Sequence, residues 1–319
     1  IHFGLIPRAH RCIFVLNELP DLQPRIQVSL FSILEEKEIQ IRGFKVRLPL
    51  DIQFIFTSNP EDYTNRGSIV TPLKDRIGTQ ILTHYPESIE IAKKITEQES
   101  KLDSKVISKI HIPEIARDII EQISFEARES DLVDKKSGVS ARMSITSLQN
   151  LVSSAERRMI INNEKKTSIR MSDFNSVISS INGKVELVYE GEEEGAEQVS
   201  YNLISDAVKS LFDKYFPKIE KLSKPGEETP YDSLLEWFTQ KQLVIGDSLN
   251  DNEYEELLLE IIDARTIIDK YVKDLDDNDR FFFIEFILWG LESFNKLSIL
   301  RTNNGIEFKD PFNNFINKI

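Results

Sequence analysis

Apolar residues recur along this chain in two rhythms, and the change from one to the other divides it. In residues 1–86 they come as short continuous runs. Cys12-Ile13-Phe14-Val15-Leu16 stops at Asn17-Glu18-Leu19-Pro20, and Ile52-Gln53-Phe54-Ile55-Phe56-Thr57 stops at Ser58-Asn59-Pro60. Short β-rich runs closed by turn residues predict buried parallel strands. Between them, Ile26, Leu30, Ile33 and Leu34 keep helical spacing over 24–36, with Pro24 in the first turn. From Ile39 to Leu48 apolar and charged residues alternate on both sides of Arg42-Gly43, which predicts a hairpin.

Beyond residue 86 the rhythm is helical. Apolar stripes over 87–99, 112–129, 141–161 and 171–181 predict a four-helix domain spanning 87–182. Glu190-Gly191-Glu192-Glu193-Glu194-Gly195-Ala196-Glu197 holds too little apolar matter to fold alone, so 183–199 reads as an acidic linker. Residues 200–319 read as a further helical domain. Its aromatic run Phe281 to Trp289 predicts core or an oligomer interface, being too short to cross a membrane and interrupted by Glu285. The fold class is therefore α/β followed by all-α.

Composition narrows the function. The formal net charge is −13 and the pI near 5.0, which argues against coating DNA or an anionic membrane. The single cysteine, Cys12, permits no intrachain disulfide and argues against a Cys-based zinc site; beside an apolar run it reads as a small core residue. No apolar stretch reaches the roughly 20 residues of a membrane span and no signal peptide is visible, so the cytoplasm is the default expectation. Starting at Ile1, the text reads as a fragment of a longer protein.

Ligands of α/β folds sit at the carboxyl ends of parallel strands. Asn17 and Glu18 end the first apolar run and Asn59 follows the second, so Glu18 and Asn59 could form a water-positioning pair. The competing reading is that Asn17 and Asn59 are turn residues. The order of the pieces bears on this choice. Gly4 to Leu22 resembles the stretch around the Walker B strand of magnesium-chelatase I subunits and MoxR proteins, a branch of the AAA+ ATPases. Gln27 to Glu36 resembles their next helix, 38–49 their inserted hairpin, and Phe54 to Glu61 their sensor-1 strand. Thr71-Pro72-Leu73-Lys74-Asp75-Arg76-Ile77-Gly78 resembles their "L-x-D-R-F-G" element, and Ser140-Ala141-Arg142-Met143-Ser144 their sensor-2 helix start.

The resemblance implies the C-terminal half of an AAA+ core (1–86) and a helical lid (87–182), leaving 200–319 unassigned. It implies that Glu18 polarises the water attacking the γ-phosphate of ATP and that Asn59 bonds that water or the phosphate. Arg76 would reach the nucleotide of a neighbouring subunit, and Arg142 would touch the same nucleotide from the lid, an arginine fork suiting phosphate oxygens. The competing readings are a surface salt bridge for Arg76, with Asp75 or another acid, and a solvated helix start for Arg142. Implied further are a homo-oligomeric, usually hexameric ring, a partner with a von Willebrand A-type domain, and Mg²⁺ beside the ATP.

Two departures qualify this. No G-x-x-x-x-G-K-[ST] loop occurs in the 319 residues, and Gly183-Lys184 is a false hit. Position 17, the family's Mg²⁺-associated Asp, is Asn, which brings no negative charge to the cation. A nucleotide-sensing ring scaffold with little hydrolysis is therefore a standing alternative. A DNA-directed motor is another, disfavoured by the acidic charge. At the hairpin, Arg42, Lys45 and Arg47 with Phe44 read either as a substrate-contacting tip or as an ordinary charged edge.

Overall fold

The computed structural model describes residues 3–41, 44–47, 50–59, 68–219, 229–273, 275–302 and 305–311, with the side chains of 38–41 and 44–47 left aside. Two compact units meet in sequence between Tyr85 and Pro86.

In the first unit, β1 (Ile13–Leu16) and β4 (Gln53–Phe56) pair in parallel with Leu16 beside Phe56. Between them come a 3₁₀ turn (Leu19–Asp21), α2 (Pro24–Phe31), a π-helical turn (Ser32–Glu36) and the antiparallel pair β2 (Glu38–Ile41) and β3 (Phe44–Arg47). Short helices α1 (Leu5–Arg8) and α3 (Thr71–Lys74) flank the strands in sequence. The hairpin thus forms where alternation predicts it. Its tip Arg42-Gly43 and the side chains of Phe44, Lys45 and Arg47 lie outside the described residues.

The core of this unit is small: Leu19, Leu30, Ile69 and Leu73, with Leu16, Phe31 and Phe56 packed against it. Gln27, fully buried, organises its polar half. Its Nε2 donates to Leu22 O (2.9 Å) and Ser68 O (3.1 Å), and its Oε1 accepts from Val70 N (2.9 Å). One side chain therefore ties α2 to the segment that opens α3.

The strands are parallel as expected, but not buried as expected. Ile13, Val15 and Ile55 are 65%, 51% and 44% exposed. Burial alternates along both strands: Phe14, Leu16, Phe54 and Phe56 are partly covered, while among the described residues none covers the alternate face. Cys12 is likewise exposed rather than a core residue.

The second unit, 86–319, contains α4 (Ile89–Glu99), α5 (Ser104–Ile107), β5 (Ile110–His111), α6 (Glu114–Glu129), α7 (Arg142–Ile161), β6 (Thr167–Ser168), a 3₁₀ turn (Met171–Val177) and α8 (Ile178–Asn182). The four predicted stripes all fall on helical segments. α9 (Tyr189–Glu194) and α10 (Ala196–Tyr215) follow, then α11 (Asp232–Gln240), β7 (Leu243–Gly246), α12 (Asp251–Leu259), α13 (Ile262–Tyr271), α14 (Asp277–Ser293), β8 (Ser298–Thr302) and β9 (Gly305–Lys309).

Two expectations fail here. Residues 183–199 are not a linker. Val133 bridges Leu187, Val188 N donates to Leu132 O (3.1 Å), and Gly191 is buried against Leu132 O, where a Cβ would lie 2.5 Å from that oxygen. The glutamates of α9 face solvent while Val185, Gly191 and Val199 are buried, which a count of acidic residues misses. Nor is 200–319 all-helical, since β7, β9 and β8 form an antiparallel sheet in that order. One continuous core runs from Ile110 to Phe308, because α10 lays its apolar stripe on both α6 and α14.

The aromatic run is core. Residues 282–291 of α14 are all buried, as a helix apolar on every side must be. Asp276 caps it by accepting from Asn278 N (2.9 Å), which satisfies one of the free N–H groups of the first turn. Glu285, wholly buried in this run, accepts from Tyr254 Oη (2.7 Å) and Met171 N (2.9 Å), and burial pushes its carboxyl up to about 7. Beside it Arg170 lies 4.0 Å over the Tyr254 ring and pairs with Asp251 (2.7 Å), and Arg158 pairs with Asp173 (2.5 Å).

Candidate functional site

The chain leaves β1 into Asn17 and Glu18 and leaves β4 into Thr57, Ser58 and Asn59, so the parallel pairing delivers both polar sets to one end of the two strands. Thr57 joins them. Its N–H donates to Leu16 O (3.0 Å) and its carbonyl accepts from Leu19 N (2.9 Å), so the pairing continues past the strand ends. Its Oγ1 accepts from Glu18 N (3.1 Å) and donates to Asn17 Oδ1 (3.2 Å). Asn17, Glu18 and Thr57 are thus one hydrogen-bonded group.

Glu18 occupies the left-handed region (φ 53°, ψ 53°), unusual for a residue with a Cβ and costing roughly 1–2 kcal/mol relative to ordinary backbone. The bonds from Glu18 N and Leu19 N to Thr57 hold that conformation. Glu18 itself is exposed. Asn59 is exposed three residues past the end of β4.

Arg76, just beyond α3, is held within its own unit. Nε and Nη2 both reach Glu35 Oε2 (2.7 and 2.6 Å), Nη1 donates to Pro72 O (2.7 Å), and the guanidinium lies 5.0 Å from the Phe31 ring centroid. Its partner is Glu35 of the π turn, not the adjacent Asp75. The pair is partly solvated, at 31% and 60% side-chain exposure, so its worth is about 1 kcal/mol or less.

Arg142 lies in the second unit, as the exposed first residue of α7. Its N–H donates to Ser140 Oγ (3.2 Å) and its carbonyl accepts from Thr146 Oγ1 (2.8 Å). Among the described residues no ion pair engages its guanidinium. The structure therefore gathers Asn17 and Glu18 at one strand end with Asn59 following the neighbouring strand. Arg76 sits elsewhere in the same unit, held by Glu35, and Arg142 belongs to the other unit.

Thr57 and Glu35 are the residues sequence reasoning missed. Thr57 left a signal, a hydroxyl closing the second apolar run directly before Ser58-Asn59. For Glu35 the predicted helix offered both Glu35 and Glu36, and only tertiary packing chooses.

As a Mg²⁺ site the strand end fits poorly. Asn17 is neutral and its Oδ1 already accepts from Thr57, leaving one carboxylate where a hard cation favours several oxygen ligands. Among the described residues no group of three His, Cys, Asp or Glu could hold a metal. None of their helices is long and apolar enough to cross a membrane.

Residues 2–79 match the profile of the Sigma-54 interaction domain, a family of AAA+ ATPases. That segment contains Asn17, Glu18, Thr57, Asn59 and Arg76, and the match supports an AAA+ ATPase without singling out the magnesium-chelatase branch. Among solved structures, a Cytophaga hutchinsonii protein provisionally assigned as an ATPase is similar at 19% identity and a TM-score of 0.25, over 60% of this chain. The chain spans 64% of that protein's length. No curated protein gives a match.

Proposed function

We propose that this chain is part of an AAA+ ATPase of the magnesium-chelatase I-subunit/MoxR type, a motor that hydrolyses ATP to remodel a partner protein. The observation that carries the reading is the knot of Asn17, Glu18 and Thr57 at the carboxyl end of a parallel strand pair, inside the segment matched by an AAA+ profile. Ligands of α/β sheets lie at such ends.

In this reading Glu18 acts as general base, its carboxylate accepting a proton from the water that attacks the γ-phosphate, while Asn59 orients that water. Thr57 fixes the backbone that aims Glu18. Arg76 serves the nucleotide of a neighbouring subunit in a ring and must leave Glu35 to do so. Arg142 contacts the nucleotide from the helical unit. ATP is the substrate; Mg²⁺ would bring charge neutralisation to its phosphates, but no step is assigned to a cation held by Asn17. A von Willebrand A-type protein is the proposed partner.

Steady-state ATP hydrolysis by the protein carrying these residues tests this, with Glu18→Gln, Arg76→Ala and Glu35→Ala variants. Glu18→Gln should lower turnover by about 10²-fold or more, and Arg76→Ala by about 10³-fold. Glu35→Ala removes the same ion pair and should retain turnover. Equal losses in Arg76→Ala and Glu35→Ala would show that Arg76 only braces the fold. Nucleotide-dependent assembly without turnover would instead favour a sensing scaffold, which the neutral Asn17 supports. The profile match favours one further reading, in which the partner is a sigma-54 factor; copurification with such a factor decides it.

A further inference from the structure

The helical unit has a groove of about 560 Å³ along α4 and α6, with Leu148 of α7 in its wall. That volume is in the range of sites for small organic ligands. Its apolar surface comes from Ile112, Ile120 and Leu148, and Glu121 also lines it.

Glu121 is 3% exposed, and among the described residues it has no ion-pair partner. Burial raises its carboxyl above the usual range, despite hydrogen bonds from the Thr96 and Ser144 hydroxyls and the more distant charges of Arg128 and Lys93. A buried carboxylate is costly without a cation beside it. Of the cations in the wall, Lys93 is already paired: its Nζ lies 2.5 Å from Glu114 and 2.6 Å from Asp118, and although burial works against the charged form, those carboxylates hold its ammonium at a pKa of about 12. Arg117 also faces Glu114, at 3.9 Å. The groove therefore places a buried carboxyl group, with no direct ion pair among the described residues, beside open, partly apolar space.

We propose that this groove binds an organic cation, a primary ammonium or guanidinium on a short aliphatic stem. Its head pairs with Glu121 while the stem lies on Ile112, Ile120 and Leu148. A metal ion is the poorer occupant, because one carboxylate above an apolar floor offers too few oxygen ligands. The exposed Glu90 and Glu97 on α4 offset Lys94 at the rim and leave the approach open to positive charge. The same head group can come from a free amine or from a lysine or arginine side chain of a partner protein.

Calorimetric titration of the whole chain tests this, using n-butylammonium, agmatine, and doubly blocked lysine and arginine amides, with 1-butanol as the neutral control. The cations should bind at least about tenfold more tightly than the alcohol, and Glu121→Gln should weaken them about tenfold, or about 1.4 kcal/mol. Circular dichroism and melting establish that the variant is folded; if it is not, the contrast between cation and alcohol on the unmodified chain decides. Binding of free amines alone identifies a small molecule, and binding of the blocked amino acids identifies a partner's side chain. Absence of cation binding at millimolar concentration, equal binding of the alcohol, or unchanged affinity in a folded Glu121→Gln would overturn the proposal.

Discussion

Replacing Glu285 by Gln should abolish a specific part of the pH dependence of stability. Glu285 is 0% exposed, and Tyr254 Oη, Met171 N and Ser172 N all converge on its Oε2, while Oε1 is buried without a hydrogen-bond partner among the described residues. Burial is the dominant effect and raises the carboxyl from 4.5 to about 7; the Tyr254 hydrogen bond and the Arg170 charge oppose it, and Asp173 adds to it. Tyr254 is itself pushed well up by burial, so it remains a neutral donor throughout.

The sign follows from proton counts. Between pH 4.5 and 7 the folded chain keeps a proton on Glu285 that the unfolded chain has released, so stability falls as pH rises through that window and is level above it. Integrated from pH 5 to pH 8, this one group removes about 2–3 kcal/mol. Glutamine cannot titrate. Its NH₂ would take the place of the unpartnered Oε1 and cost about 1–3 kcal/mol, but equally at every pH. Urea unfolding of both proteins at several pH values isolates the effect, because titrating groups remote from Glu285 cancel in the difference. The gap between variant and parent should shift by about 2–3 kcal/mol in the variant's favour from pH 5 to pH 8. Parallel profiles would refute the reasoning.

Two further substitutions probe packing. Gln27→Leu keeps the volume but strips partners from Leu22 O, Ser68 O and Val70 N; each costs about 1–3 kcal/mol if left unmade. Hydrogen exchange at Val70 should accelerate sharply while amides of α14 are unchanged, and unaltered protection at Val70 would contradict the tie. Gly290→Ala would set a Cβ 2.2 Å from a carbon of the Phe212 ring, which is fully buried among Phe216, Phe286 and Phe294 and cannot retreat. Overpacking of this kind costs about 1–3 kcal/mol, so the melting temperature should drop by several degrees; an unchanged melting temperature would show that the ring does yield.

Local pattern determined much of this protein. The helices from Ile89 to Asn182 follow from apolar residues spaced every three to four positions, the hairpin at Glu38–Arg47 from alternation, and the buried α14 from an aromatic-rich apolar run interrupted only by Glu285. Asn17, Glu18 and Asn59 were legible as strand-end polar residues for the same reason: what closes an apolar run is written beside it. Tertiary structure alone decided what depends on residues far apart. Thr57 reaches Asn17 across 40 positions and Glu35 reaches Arg76 across 41, and neither partner choice has a local signature. The sheet of β7, β8 and β9 pairs Leu243 with Phe308, and runs of four or five residues cannot announce a partner so distant. The acidic stretch misled because charge was counted along the chain, whereas folding acts on faces. Its glutamates point to water while Val185, Gly191 and Val199 complete a core assembled from α6, α10 and α14.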